Sequence, residues 1–193
     1  MISGERLRLR PIRRSDLPIL RAWFDDPETT RFWGQPAPLV AEDLFETDLA
    51  GRFRRFDEAG YFMTELNDGT PIGRIEYERL DPIARSAEVM ILIGSEEGRG
   101  RGFGTEAMVA LLGYLFHQRN LYRVSLSVIA WNERAIRSYQ KVGFVEEGRL
   151  RDDLFFDGRY HDQVVMSILR DEFEARWSAP PAPQSWGVKE SCR

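Results

Sequence analysis

A mixed α/β fold, a sheet with helices on both faces, is what this sequence predicts, and three observations carry the expectation. The apolar run Val89-Met90-Ile91-Leu92-Ile93 passes through Arg99-Gly100-Arg101-Gly102-Phe103-Gly104-Thr105 into Ala107, Met108, Leu111, Leu112, Leu115 and Phe116 at helical spacing. That reads as strand, glycine loop, helix. Asn67-Asp68-Gly69-Thr70 joins two strand-like segments as a hairpin. Along the chain the elements run β, α, α, β, β, β, loop, α, β, α, β, β, and the strand–helix–strand unit around the glycine loop predicts a right-handed parallel crossover.

Each element has a local reason. Arg6-Leu7-Arg8-Leu9-Arg10 alternates with period two and ends at Pro11, a strand. Ser15 caps a helix that tolerates Pro18 in its first turn, presents Leu17, Leu20 and Phe24 on one face, and stops at Pro27. Arg31-Phe32-Trp33-Gly34-Gln35-Pro36 is an aromatic-rich loop, followed by a helix over 41–56 with Phe45, Leu49, Phe53 and Phe56 on one face and Glu42, Asp43, Glu46 and Asp48 on the other. Strands follow at 61–66, 71–80 and 87–93, then the helix from about 103 to 119 and a strand at 122–129 with Val124, Leu126 and Val128 inward. Asn132 caps a helix ending near Val142, with Gly143 at C′. Strands at 144–150 and 160–169 flank the turn Phe156-Asp157-Gly158-Arg159. One domain over 1–177 is expected, with a disordered proline-rich tail at 178–193.

Composition narrows the function classes. The hydrophobic fraction of 42% supports a core, and a net charge of −4 offers no electrostatic footprint for nucleic acid. With one cysteine, Cys192, and two histidines, His117 and His161, neither a disulfide framework nor a metal site is expected. No apolar run reaches membrane-spanning length and no signal peptide is evident, so the expectation is a soluble cytoplasmic protein.

The glycine loop points to chemistry. Alternating glycines permit positive φ, so backbone N–H groups converge, and the new helix adds its unpaired N–H groups and positive dipole end. The result is an anion cradle suited to phosphate, with Arg99 and Arg101 adding charge beside it. The N–H groups of Gly100, Gly102, Phe103, Gly104 and Thr105 suit a pyrophosphate.

Two motifs resemble one family. Arg99-x-x-Gly102-x-Gly104 is similar to the acetyl-CoA pyrophosphate signature of the GNAT N-acetyltransferase superfamily. Asn132-Glu133-Arg134-Ala135-Ile136-Arg137-Ser138-Tyr139-Gln140-Lys141-Val142-Gly143-Phe144 resembles its second signature. The run Glu147-Gly148-Arg149-Leu150-Arg151, then Asp157-Gly158-Arg159-Tyr160-x-Asp162, resembles the ending of ribosomal-protein N-terminal and spermidine acetyltransferases, and the opening Arg8-Leu9-Arg10-Pro11 and the Arg31-Phe32-Trp33 loop fit that subgroup. The resemblance covers roughly residues 5–169. It implies a mixed, mainly antiparallel sheet with a V-shaped splay at the central strands.

It also implies acetyl-CoA as co-substrate, no metal, an amine acceptor and direct attack in a ternary complex. The pantetheine arm is expected beside Met90 to Ile93, with a backbone N–H near Leu92 or Ile93 on the thioester carbonyl. Tyr139 matches the family's general acid, and shares a helix face with Asn132 two turns earlier. Asn132 reads as a helix cap and as a partner of the cofactor arm. Glu88 has two readings, the base that accepts the amine proton directly or through water, and a strand-end carboxylate paired with Arg85 or another arginine. Glu76 and Glu78 share a strand face that lines an amine site or only meets solvent, and Asp152 and Asp153 are further candidates. Trp33 reads as a pocket wall or as core, and His117 and His161 receive no catalytic role. No covalent intermediate is needed, so Cys192→Ala is expected to keep activity.

The acceptor stays open between a peptide N-terminus, another small amine and a polyamine. Spermidine enzymes carry glutamates where this chain has Phe32-Trp33-Gly34-Gln35-Pro36, and no acid stands there. A homodimer is compatible with the sequence. The rival classes are a non-catalytic CoA-binding module and a nucleotide-binding protein. The loop lacks the Gly-Lys-Ser/Thr ending of a P-loop, and no acid follows at dinucleotide-fold spacing.

Overall fold

The computed structural model describes residues 1–32 and 58–177. The expected helix over 41–56 with its acidic face, Trp33, and the tail with Cys192 lie outside the described residues. Strands are β1 (Ile2–Ser3), β2 (Leu7–Pro11), β3 (Gly60–Leu66), β4 (Pro71–Asp81), β5 (Ser86–Ile93), β6 (Arg123–Ile129), β7 (Val145–Phe156) and β8 (Arg159–Leu169). Helices are α1 (Leu17–Asp25), α2 (Pro27–Arg31), α3 (Phe103–His117), α4 (Glu133–Val142) and α5 (Arg170–Arg176).

The strands form one sheet in the order β1-β2-β3-β4-β5-β6-β8-β7, antiparallel throughout except where β5 meets β6. That exception is the parallel crossover through α3. The sheet buries both faces. On one, Leu7, Ile75, Val89, Val124 and Leu126 pack against Met108, Leu111, Leu112 and Leu115 of α3. On the other, Leu17, Leu20, Trp23 and Phe24 of α1 pack on Met63, with Leu92 against them. Each such side chain contributes about 1.5–3 kcal/mol when fully buried.

The central strands diverge. β5 and β6 pair only at Ser86↔Arg123, Ala87↔Val124 and Glu88↔Ser125. Beyond Glu88, β5 stays bonded to β4 as far as Ile93, and β6 stays bonded to β8 as far as Ile129. The facing edges of these two strands therefore open into a V, as the resemblance implied.

Several boundaries differ from expectation. Asp16, not Ser15, organises the start of α1. Its carboxylate accepts the Arg13 N–H at 2.7 Å, and the Arg10 guanidinium grips both its oxygens at 2.7 and 2.9 Å. Pro27 ends α1 and also opens α2, whose N-cap Asp26 accepts the N–H groups of Glu28 and Thr29. β7 runs six residues past Leu150, to Phe156, because pairing with β8 resumes after a break between Leu150 and Leu154, where Asp152 has φ 52°. The polar run Arg151-Asp152-Asp153 hid that continuation. Helix α5 was not expected. Its one buried apolar residue, Phe173, stacks 5.3 Å from Phe116, too little pattern to show in sequence.

Candidate active site

The wedge between β5 and β6 is a cavity of about 390 Å³, walled by Val89 to Ile93, the glycine loop, Ser127 to Ile129 and one face of α4. Its floor is chemically unusual. From Val89 to Ile93 the β5 edge away from β4 has no strand partner, so main-chain N–H and C=O groups stand along the cavity. An extended molecule with amide groups can complete that edge as an added strand.

At the open end sits the cradle. Gly100 has φ +75° and Gly102 φ +82°, left-handed values that side chains rarely adopt, and Gly102 is the N-cap of α3. A Cβ on Gly100 would meet no atom within 4 Å, so this backbone faces open space. Leu92, Ile93, Arg99, Gly100, Gly102, Gly104, Thr105 and Asn132 all line the cavity.

Arg101 and Phe103 do not. The Phe103 ring is buried under the Arg6 guanidinium, 4.6 Å from its centroid, so only its main-chain N–H is left for an anion. The Arg101 carbonyl accepts from Arg6 at 3.3 Å, and its side chain is not in the cavity wall. Arg99 lines the cavity but points its charge elsewhere. Its Nη2 donates to Thr29 Oγ1 at 2.5 Å and to the Gly94 carbonyl at 3.0 Å, and lies 3.4 Å from Asp26. The expectation that Arg99 and Arg101 supply positive charge to the cradle is corrected. Arg99 ties the loop to α2, and Thr29 foremost, with Arg99 assisting, holds the Asp26 carboxyl below its usual range.

Asn132 is the N-cap of α4, its Oδ1 accepting the Ala135 N–H at 3.2 Å, and it also lines the cavity. Ser138 and Thr105 hydroxyls meet at 2.9 Å and hold α4 against the start of α3. Tyr139 reaches the cavity one residue on. Its ring lies edge-on to Phe144 at 5.9 Å, and burial pushes its phenol up to about 12, so it stays protonated at neutral pH. Among the described residues its hydroxyl has no hydrogen-bond partner.

Glu88 stands outside the cavity wall. Its carboxylate pairs with Arg79 at 2.8 Å, the strand-end reading with a different arginine from Arg85, which instead binds Asn120. Glu76 is 1% exposed and bonded to Arg74 at 3.1 Å, so it does not meet solvent. Glu78 accepts from Tyr61 at 2.5 Å. The N–H of Asp152 donates to Asp162, away from the wedge.

Sequence reasoning missed one feature of the wall. Arg134, Arg137 and Lys141 of α4 all line the cavity. Their spacing of three and then four residues was visible as a basic helix face, but nothing local said which way that face turned.

The acetyltransferase (GNAT) domain family model matches residues 6–145. The chain belongs to the GNAT acetyltransferases. Spermidine N(1)-acetyltransferase of Escherichia coli K12 is 31% identical over 183 residues, covering 93% of this chain and 95% of that protein. The putative ribosomal N-acetyltransferase YdaF of Bacillus subtilis is 37% identical over 138 residues, covering 71% of this chain and 75% of that protein. Among solved structures, the spermidine N-acetyltransferase from Vibrio cholerae in complex with CoA and spermine superposes with a TM-score of 0.80 at 30% identity, over 87% of this chain and 98% of that one. As a GNAT enzyme the chain is an N-acetyltransferase that uses acetyl-CoA, and its wedge and cradle fit that donor. Among the described residues no helix is long and apolar enough to cross a membrane.

Proposed function

We propose that the chain acetylates a primary amine by direct attack within one ternary complex, with Tyr139 as the proton donor to the departing sulfur. The observation that carries the reading is the V between β5 and β6, with the positive-φ glycine loop at its open end and Tyr139 in its wall. Acetyl-CoA, when bound, supplies the thioester carbonyl that the amine attacks. The unpartnered β5 edge near Leu92 and Ile93 holds the extended arm and donates an N–H toward the carbonyl oxygen, and Asn132 lies beside it. The N–H groups of Gly100, Gly102, Gly104 and Thr105 hold the pyrophosphate. Tyr139 donates its proton as the carbon–sulfur bond breaks, a step suited to a phenol kept neutral by burial. The amine loses its proton to solvent at the mouth of the wedge. The Arg79 pair and the place of Glu88 outside the wall support a structural carboxylate over a direct base.

The acceptor we place first is a polyamine. The relatives that span nearly the whole chain include spermidine acetyltransferases, and the partly exposed Glu78 and Glu88 face each other on one side of β4 and β5 by register. That carboxylate pair offers a counterpart for the glutamates absent from 32–36. A peptide N-terminus is the second reading, favoured by the similarity to YdaF. The test is release of free CoA thiol from acetyl-CoA with spermidine, spermine or short peptides as acceptors. Turnover with polyamines alone supports the first reading, turnover with peptides alone the second. No release with any amine by folded protein that binds acetyl-CoA would leave a binding module instead.

A further inference from the structure

We propose that Arg6, which precedes β2 and stands outside the cavity wall, is a positioning residue for the cradle: it holds the peptide between Arg101 and Gly102 in the orientation that turns the Gly102 N–H toward an anion. The proposal rests on the acetyl-CoA reading of the wedge and gives a role to a side chain that touches no ligand.

The glycine that lets the loop form also leaves it undecided. Gly102 has φ +82°, but glycine adopts positive and negative φ about equally well, so this peptide can turn over at little intrinsic cost. A turned peptide would aim the Arg101 carbonyl at the anion in place of the N–H. In a trans peptide the C=O of one residue and the N–H of the next point in opposite directions. The Arg6 Nη1 donates to the Arg101 carbonyl at 3.3 Å, and Arg6 is no part of the wall that Gly102 lines. The carbonyl is therefore drawn away from the cavity, and the N–H faces it. Among the described residues that N–H has no main-chain acceptor.

Arg6 is itself fixed from several directions. Its Nε donates to Glu106 at 2.8 Å, its main-chain N–H donates to the other oxygen of the same carboxylate at 2.6 Å, and its guanidinium lies 4.6 Å from the centroid of the Phe103 ring. Glu106 stands in the first turn of α3, where an unpaired carboxylate would repel a phosphate at that helix terminus. Arg6 offsets this charge as well. Lysine, a point charge without a planar fork, can pair with Glu106 but cannot hold the carbonyl and cover the ring at the same time.

Calorimetric titration of the full chain with acetyl-CoA, run beside ¹H–¹⁵N NMR of the Gly102 amide, tests the assignment. On binding, the wild-type Gly102 amide proton is expected to move downfield as it meets the pyrophosphate. Arg6→Lys and Arg6→Ala, each with circular dichroism checked against wild type, are expected to raise the Kd about five- to tenfold and to lose most of that shift. Arg6→Lys keeps the test usable if Arg6→Ala fails to fold. An unchanged Kd in Arg6→Lys would overturn the proposal and leave Arg6 as an anchor of β2 on α3. A raised Kd with the wild-type Gly102 shift would also overturn it, by placing the effect elsewhere in the site. Failure of folded wild type to bind acetyl-CoA would overturn the donor reading itself.

Discussion

Tyr139 enters the cavity from α4 with its phenol raised to about 12 and edge-packed on Phe144. Phenylalanine keeps that packing and removes only the proton. Tyr139→Phe is therefore expected to lower kcat by about 10²-fold or more while the acetyl-CoA Kd stays within about twofold, measured by steady-state rates beside calorimetry. Unchanged kcat would remove Tyr139 from the chemistry. Glu88 gives the complementary case. Its carboxylate is held by Arg79, which is 82% exposed, so the pair contributes little to stability. Glu88→Gln is expected to change kcat/KM by less than about threefold across pH 6 to 9, whereas a general base would cost about 10²-fold and flatten the pH profile.

At the scale of elements, two ties between distant segments carry consequences. Arg99 joins the glycine loop to α2 through a guanidinium fork that lysine cannot reproduce. Both Arg99→Ala and Arg99→Lys are expected to weaken acetyl-CoA binding severalfold and to lower stability by about 1–2 kcal/mol, read from titration and urea unfolding. If Arg99 acted only as a point charge, lysine would restore binding. The second tie is Arg123, which grips Glu147 at 2.7 and 2.5 Å while Ser167 donates to the same carboxylate at 2.8 Å, joining β6, β8 and β7. Arg123 foremost, with Ser167, lowers the Glu147 carboxyl from 4.5 to about 2. A carboxyl depressed by folding stabilises the native state above its ordinary pKa, and that contribution is lost as pH falls from 4.5 toward 2. Glu147→Gln should melt below wild type at pH 7, and the gap should close toward pH 2. A gap independent of pH would assign the effect to packing alone.

For the whole molecule, on the proposed reading the V would couple ligand binding to sheet integrity, because an arm laid along β5 would complete main-chain bonds that the sheet leaves open. Acetyl-CoA at 100 times its Kd should add about 2.7 kcal/mol of stability. That corresponds to a rise in Tm of roughly 5–10 °C for a chain of this size, while ATP or NAD at equal concentration should shift it far less. Equal shifts by ATP would return the chain to the nucleotide-binding class.

What the sequence determined by itself was local. Positive φ at Gly100 and Gly102, the Asn132 cap, the turn at Asn67 to Thr70 and Gly143 as terminator each depend on a few adjacent residues, and the order of elements followed from them. The two spaced motifs extended that local reading to the family, because a phosphate cradle and a capped helix at that separation are demands of one ligand. The tertiary structure alone decided what depends on residues far apart. Arg99 found Thr29 across 70 positions, and Glu88 pairs with Arg79, which stands at the register shift of β4, while Arg85 is taken up by Asn120. The rotation of α4 that leaves its basic residues in the cavity wall goes with the packing of Ala135, Ile136, Tyr139 and Val142 on the core and with the Ser138–Thr105 contact. The point where β5 and β6 part is fixed by competing pairings with β4 and β8. Helix and turn propensities are short-range, whereas the direction in which a charge points is settled only when the sheet brings its partner within hydrogen-bond distance.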